Sequence, residues 1–367
     1  MHFVIAREKL LKPLQMVSGV VERRQTLPVL SNVLLVLKDS ELSLTGTDLE
    51  VELIGRVTVD KAVKPGEVTV PARKLLDICK SLADDANIDV TLADNKLVLK
   101  AGRSRFTLTT LPASEFPKVD DEPDTFSLSI AQTKLRELLE STSFAMAQQD
   151  VRYYLNGMLF EVAPSYLRVV ATDGHRLAME TLDLNNAIRD VQQLILPRKG
   201  IMELSRLLVD EDEPITLTFG QNHIRAQVAS FTFTSKLVDG KFPDYNRVLP
   251  KGGNKVVVGN CQELRQAFSR ASILSNEKYR GVRVMLSSGQ LRILANNPEQ
   301  EEAEELVSVD YEGDSLEIGF NVSYLIDVLS TLTSANARIT LSDPNSSALL
   351  EAEQGSDALY VVMPMRL

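Results

Sequence analysis

The chain is poor in the residues that carry most catalytic and redox chemistry. It holds two cysteines and three histidines in 367 residues. Cys79 and Cys261 lie far apart, each inside a helical pattern. That is not the dense disulfide framework of a small secreted domain, and buried free thiols in a reducing compartment are expected. No apolar run approaches the roughly 18 residues needed to span a bilayer. The opening MHFVIAREKL lacks the long apolar stretch of a signal peptide. These absences predict a cytoplasmic chain with no membrane partner. His2, His175 and His223 are scattered, and HExxH, Walker, GxSxG and CxxC patterns are all missing. No catalytic residue, metal site or cofactor is expected. The Asp173-Gly174-His175-Arg176 segment could suggest a general base, but a turn with a structural histidine fits better. The run from Glu299 to Glu305 reads as an exposed acidic edge rather than a cation site.

What the chain does have is repetition. LTGTDLEVEL around Thr47-Asp48 returns as VATDGHRLAM at Thr172-Asp173, and more weakly as LANNPEQEEAEEL at Asn296-Asn297. Val70-Pro71-Ala72-Arg73-Lys74 leads into an apolar helix, as do Leu196-Pro197-Arg198-Lys199 and Phe320-Asn321-Val322. LPASEFP from Leu111 reappears as LVDGKFP from Leu237. The spacings are 125, 124, 126, 124 and 126 residues. Solenoid units run roughly 20 to 50 residues, so this longer period marks three tandem copies of a whole domain. The expected domains are 1–122, 123–250 and 251–367.

Each copy resembles two halves of the order helix, strand, turn, strand. Leu10, Leu11, Leu14, Val17 and Val21 recur at helical spacing within Arg7 to Val21. SNVLLVL and ELSLTG read as strands around a turn at Lys38-Asp39-Ser40. Arg73 to Leu82 reads as a helix, and NIDVTL and KLVLKAG as strands around Ala93-Asp94-Asn95. GRSRFTLTTL alternates as a further strand. The remaining helices are expected at 131–147, 198–208, 261–275 and 322–332. FPKVDDEPDTFSLS and FPDYNRVLPKGGNKVVV read as linkers. The fold class is therefore α+β, with six helices packed on mostly antiparallel sheets.

Net charge is −10, which taken alone argues against nucleic acid. The six helical spans nevertheless sum to +7, leaving −17 for everything else. A mildly basic set of helices within an acidic chain suits a polyanion, and duplex DNA carries one charge per roughly 1.7 Å of axis. Alternating charges on solvated helices would explain the pattern about as well. Two segments are less ordinary. Gln148-Gln149-Asp150-Val151-Arg152-Tyr153-Tyr154 is either a sequence-blind phosphate contact or the start of a strand with a core tyrosine pair. The apolar terminus, Tyr360 to Leu367, is a final core strand, a thioether-lined peptide groove, or both.

TLPVLSNVLL, TGTDLEVE, VRYYLNGMLFE, ATDGHRLA, SKLVDGKFPDY, LSNEKYRGVR, ANNPEQEEAEE and VVMPMRL together resemble the bacterial β sliding clamp family, the processivity subunit of DNA polymerase III. The resemblance runs from Met1 to Leu367. It implies a non-catalytic, head-to-tail homodimeric ring of clamp domains, with helices inside and antiparallel sheets outside, around double-stranded DNA. It implies partners held by linear peptides: the polymerase III alpha subunit, the clamp loader, other polymerases and repair proteins. The implied peptide groove comprises Leu155, Thr172, Gly174, His175, Arg176, Leu177, Pro243, Arg247, Val248, Tyr324, Val361, Met363, Pro364 and Met365. The implied DNA contacts are Arg24, Arg73, Gln149, Arg152, Tyr153, Tyr154 and Lys199. The implied dimer interface sets Lys74, Ile78, Leu82, Arg103, Arg105 and Phe106 against Ile273, Leu274, Glu301 and Glu305. Asn345 and Gln148 depart from the family's pattern. A peptide-binding scaffold that encircles no DNA is the alternative.

Overall fold

The computed structural model describes residues 1–22, 27–117, 123–185, 188–209 and 213–366. Six α-helices are present among them: α1 (Arg7–Val20), α2 (Ala72–Ser81), α3 (Gln132–Thr142), α4 (Arg198–Leu207), α5 (Cys261–Ser272) and α6 (Val322–Thr331). The apolar spacing that identifies them is also what buries them. On α1, Leu10, Leu14, Val17 and Val20 face the core at helical intervals. Close approach is permitted by Gly46, where a Cβ would sit 2.8 Å from the Val17 side chain and carbonyl.

Each helix follows a strand with no loop between. His2–Ala6 runs into α1, Gly66–Pro71 into α2 and Phe126–Ala131 into α3. Gln192–Pro197 runs into α4, Lys255–Asn260 into α5 and Leu316–Asn321 into α6. This corrects the half-repeat read from sequence, which lacked the leading strand. It also corrects the linkers: the sheet strands Phe126–Ala131 and Lys255–Asn260 begin inside the two stretches read as connections. Helix α3 is shorter than its predicted span and ends in a 3₁₀ turn at Ser143–Ala145, and α5 stops at Ser272 rather than Ser275.

The chain divides into two compact units, residues 1–135 with 199–237, and residues 136–198 with 238–367. The first unit holds a five-stranded sheet in the order Lys61–Lys64, His2–Ala6, Asn87–Ala93, Lys96–Ala101, Ser104–Thr109. Its eight-stranded sheet runs Phe126–Ala131, Pro214–Phe219, His223–Val228, Phe231–Lys236, Val51–Thr58, Glu41–Thr47, Asn32–Lys38, Gly66–Pro71. The second unit holds an eight-stranded sheet in the order Gln192–Pro197, Gly157–Val162, Tyr166–Thr172, Arg176–Asp183, Leu359–Val362, Ala348–Ala352, Asn336–Leu341, Lys255–Asn260. Its four-stranded sheet runs Glu302–Ser308, Gln290–Asn296, Gly281–Ser287, Leu316–Asn321. Neighbouring strands pair antiparallel in all four sheets.

Two of these pairings join one repeat to the next. Phe231–Lys236 of the second repeat lies against Val51–Thr58 of the first, with Phe231 opposite Gly55 and Ser235 opposite Val51. Arg176–Asp183 of the second lies against Leu359–Val362 of the third, with Arg176 opposite Val362. The repeat spacing makes these the same joint used twice. The strands equivalent to its two sides that remain are Ser104–Thr109 and Glu302–Ser308. Each ends its sheet with no neighbour on its outer side among the described residues.

Candidate functional site: an apolar cavity and two open strand edges

The most repeated phrase in the sequence proves to be a turn. Thr172 Oγ1 accepts from Gly174 N at 3.1 Å and donates to the Arg176 carbonyl. Asp173 Oδ1 accepts from His175 N at 2.9 Å and Arg176 N at 3.0 Å. Thr47 and Asp48 do the same for Leu49 N, Glu50 N and Val51 N at 2.8–3.0 Å. Asn297 Oδ1 accepts from Glu301 N at 2.9 Å in the third copy. Short side chains that bond their own backbone are what a reversal between two strands selects. The fold needs these residues here whatever the protein does.

In the second copy the turn also walls a cavity of about 180 Å³. Its lining is Arg152, Tyr154, Leu155, Thr172, Gly174, Arg176, Leu177, Phe242, Pro243, Tyr245, Val248, Val361 and Met363. Beneath it Leu159, Val170, Leu177, Met179, Ile195, Phe242, Tyr245 and Val361 form one apolar cluster. Gly174 has φ +89°, and a Cβ there would meet the Arg152 guanidinium at 2.9 Å. The equivalent residue of the first copy, Leu49, takes φ +80° despite its side chain, so the turn dictates the backbone and glycine adopts it without strain.

Two arginines flank the opening and differ in commitment. Arg176 is largely buried and engaged through all three of its side-chain nitrogens. Its guanidinium pairs with Asp173 at 3.1 Å and with Asp327, donates to the Phe144 carbonyl at 2.8 Å, and lies 4.7 Å over the Tyr324 ring. Arg152 is half-exposed. It clasps Asp150 at 2.9 and 3.0 Å and reaches the Asp173 carbonyl at 3.1 Å. That side-chain hydrogen bond, helped by the Arg152 backbone N–H, holds the Asp150 carboxyl down at about 2.

Nine of the fourteen implied groove residues line this cavity. His175, Arg247, Tyr324, Pro364 and Met365 do not, although the His175 ring is stacked on Tyr324 with centroids 6.5 Å apart. Of the terminal segment, Leu359–Val362 is a strand, and Met363 contributes to the cavity wall. Phe242 and Tyr245 escaped sequence reasoning because they sit in a stretch read as linker. Aromatics in a supposed linker were the available signal. Asn345 lies in a turn closed by Asp343, which accepts from Asn345 N at 2.8 Å.

Of the implied DNA contacts, Arg24 lies outside the described residues. Arg73 and Gln149 are exposed, the latter at φ +55°. Arg152-Tyr153-Tyr154 does not begin a strand: Tyr153–Leu155 is a 3₁₀ turn, Tyr153 is 57% exposed and Tyr154 lines the cavity. Neighbouring Val151, absent from the implied set, is 95% exposed. Lys199 is tied down. It pairs with buried Asp48 and with Glu22 at 2.9 Å, and donates to the Val20 carbonyl at 3.0 Å. Its charge is spent within the first unit.

Three of the implied interface residues, Arg105, Phe106 and Glu305, lie on the two open edge strands, and the rest lie on or next to α2, past α5 or just before those strands. Arg103 and Arg105 are exposed beside half-buried Phe106 on Ser104–Thr109, and Lys74, Ile78 and Leu82 lie on or just past α2. On the other edge Glu301, Glu302 and Glu304 are exposed. Glu305 already binds Arg270 bidentately at 2.7 and 2.8 Å. Ile273 is 74% exposed, and so is 55% of Leu306, which the implied set lacks. One edge is basic, the other acidic, and both present apolar side chains.

Family models for the N-terminal, central and C-terminal domains of the DNA polymerase III beta subunit match residues 1–120, 129–244 and 246–366. The chain belongs to the DNA polymerase III beta subunit family. It is 65% identical over 367 residues to the beta sliding clamps of Pseudomonas putida and Pseudomonas aeruginosa, covering 100% of both chains in each case. Against the Escherichia coli K12 beta sliding clamp the identity is 53%, also over 100% of both chains. The crystal structure of the Pseudomonas aeruginosa DNA polymerase sliding clamp with ligand superposes with a TM-score of 0.97 over 100% of both chains, at 65% identity. A Bartonella birtlesii clamp bound to griselimycin gives 0.96 at 37% identity, again over 100% of both chains. Beta subunits are processivity clamps, so this family member is a clamp and not an enzyme. Among the described residues no helix is long and apolar enough to cross a membrane.

Proposed function

We propose that the chain closes into a head-to-tail homodimer that encircles duplex DNA and tethers the replicative polymerase by peptides seated in the cavity. One observation carries the ring. The joint between successive repeats is made twice within the chain and left open at both ends, and the two open sides are complementary in charge. Pairing Ser104–Thr109 of one protomer with Glu302–Ser308 of the next makes the joint a third time. A head-to-tail contact gives a ring where its rotation closes. The clamp domains are 1–122, 123–250 and 251–367.

Sequence-blind DNA contact falls to Arg24, Arg73, Gln149, Arg152, Tyr153 and Tyr154, with Lys199 contributing less than its charge suggests. Phosphate contacts of this kind position a duplex without reading it, as sliding requires. The cavity takes Leu and Phe anchors of partner peptides: the alpha subunit, the clamp loader, other polymerases and repair proteins. Tethering holds a released polymerase at high effective concentration beside its primer. The site of action is the cytoplasm.

The test is topological. Loaded onto nicked circular DNA, the protein is expected to co-elute with the circle and to be lost when one enzyme cut linearises it. Retention that ignores linearisation overturns encirclement. Light scattering on a sizing column separates the alternative: twice the 40.6 kDa subunit mass supports the ring, and a stable monomer at micromolar concentration supports a bare peptide scaffold.

A further inference from the structure

Behind the cavity lies a buried polar network that no part of the clamp reading uses. Glu161 sits on Gly157–Val162, a strand buried at all six positions, and is itself 6% exposed. Its carboxylate accepts from the Tyr166 and Tyr245 hydroxyls at 2.9 Å each and from Gln193 Nε2 at 2.7 Å. Arg168 Nη1 donates to the Tyr245 hydroxyl at 3.1 Å, lies 3.6 Å from Glu161, and stacks 4.8 Å over the Tyr166 ring. Tyr245 is 3% exposed and belongs to two structures at once. Its hydroxyl closes this network while its ring floors the cavity.

Such a network is a poor choice for stability alone. A buried charged group must be fully compensated, and apolar residues of similar volume commonly do as well or better. A phenylalanine at 245 above an apolar 161 would complete the cluster without any polar bookkeeping. What the network adds is direction. It fixes the ring, and with it the 3₁₀ turn Tyr245–Arg247 and Val248, whose N–H donates to the Tyr245 carbonyl at 3.0 Å.

We propose that Glu161, Arg168 and Tyr245 act as positioning residues that keep the cavity open and its floor rigid before any peptide arrives. This rests on the cavity being the peptide site. A preformed floor spares the ligand the cost of ordering the turn, which strengthens binding without a direct contact from Glu161 or Arg168.

The experiment is fluorescence anisotropy of a fluorescein-labelled peptide carrying Gln, Leu and Phe, titrated with the full-length chain and with Tyr245→Phe. The substitution removes two hydrogen bonds to charged groups, one donated to Glu161 and one accepted from Arg168, and affinity weakened at least about tenfold is expected. Phe268→Leu in α5, buried but remote from the cavity lining, serves as the control for general destabilisation and is expected to bind as the parent does. A triple variant, Glu161→Leu, Arg168→Leu, Tyr245→Phe, is expected to keep the parental melting temperature to within a few degrees yet remain weak in binding. Parental affinity in Tyr245→Phe overturns the positioning role. Equal weakening in Phe268→Leu overturns it too, by exposing a merely structural effect. A parent chain that takes no peptide overturns the reading beneath it.

Discussion

Asp173 offers the sharpest quantitative test, because its two oxygens do separable things. Oδ1 accepts the N–H groups of His175 and Arg176, and Oδ2 pairs with Arg176 Nε. Asp173→Ala removes all three. The His175 amide can turn to water, so each lost backbone bond is placed near the middle of the usual range, about 1 kcal/mol. The ion pair is partly buried, and Arg176 keeps Asp327 and the Phe144 carbonyl, so its share is also about 1 kcal/mol. The sum is about 3 kcal/mol. Asp173→Asn keeps an oxygen for both amides and loses only the charge and its Arg176 partner, so about 1 kcal/mol is expected. Urea unfolding by circular dichroism gives the difference as the midpoint shift multiplied by m. Peptide affinity should follow the same order, since Thr172, Gly174, Arg176 and Leu177 all reach the cavity from this turn. Equal losses for Ala and Asn would refute the assignment, because the backbone bonds would then contribute nothing.

Reversing Arg105→Glu sets a carboxylate against the acidic edge of the next protomer, and sedimentation at several salt concentrations should show the dimer weakened at least about tenfold at low salt and less at high salt. Removing residues 363–367 takes away Met363, whose N–H bonds the His175 carbonyl at 2.9 Å, and should abolish peptide anisotropy while leaving the dimer mass intact. Asp150 carries a depressed carboxyl, so the Arg152 clasp contributes above the ordinary Asp value near 3.8 and is lost as pH falls through about 2; carboxyl NMR titration should give a midpoint well under 3.8. A midpoint at the ordinary value would show Asp150 free in solution.

The helices were legible because apolar spacing is dense there, and the observed ends depart from the reading by at most five residues, the largest gap being at the end of α3. The leading strands were not. HFVIA does alternate, with Phe3 and Ile5 buried, but it passes into α1 at Arg7 without a glycine, proline or turn residue to mark the change. The passage from Ala131 into α3 shares that silence, whereas Pro71, Pro197, Asn260 and Asn321 mark the other four helix starts. The DGHR turn was legible as structure, since Thr and Asp bond their own backbone wherever the strand reverses. The cavity floor was not: Tyr245 stands 84 residues from Glu161, and only the folded sheet brings hydroxyl and carboxylate together. Lys199 shows a constraint that the sequence hides. A basic residue at a helix start invites a phosphate, yet Asp48, 151 residues away in the chain, claims it first.

The strand joint has a consequence for how such chains can be cut. It is made between the first and second repeats and again between the second and third, by equivalent strands each time. Joining repeats in this way leaves one unpaired strand edge at each end, however many repeats are strung together. Nothing in the chemistry of the joint fixes three per polypeptide. The number of repeats encoded in one gene is therefore free to drift, provided the repeats still close on themselves, and the boundary between intramolecular and intermolecular joints is a matter of where translation stops.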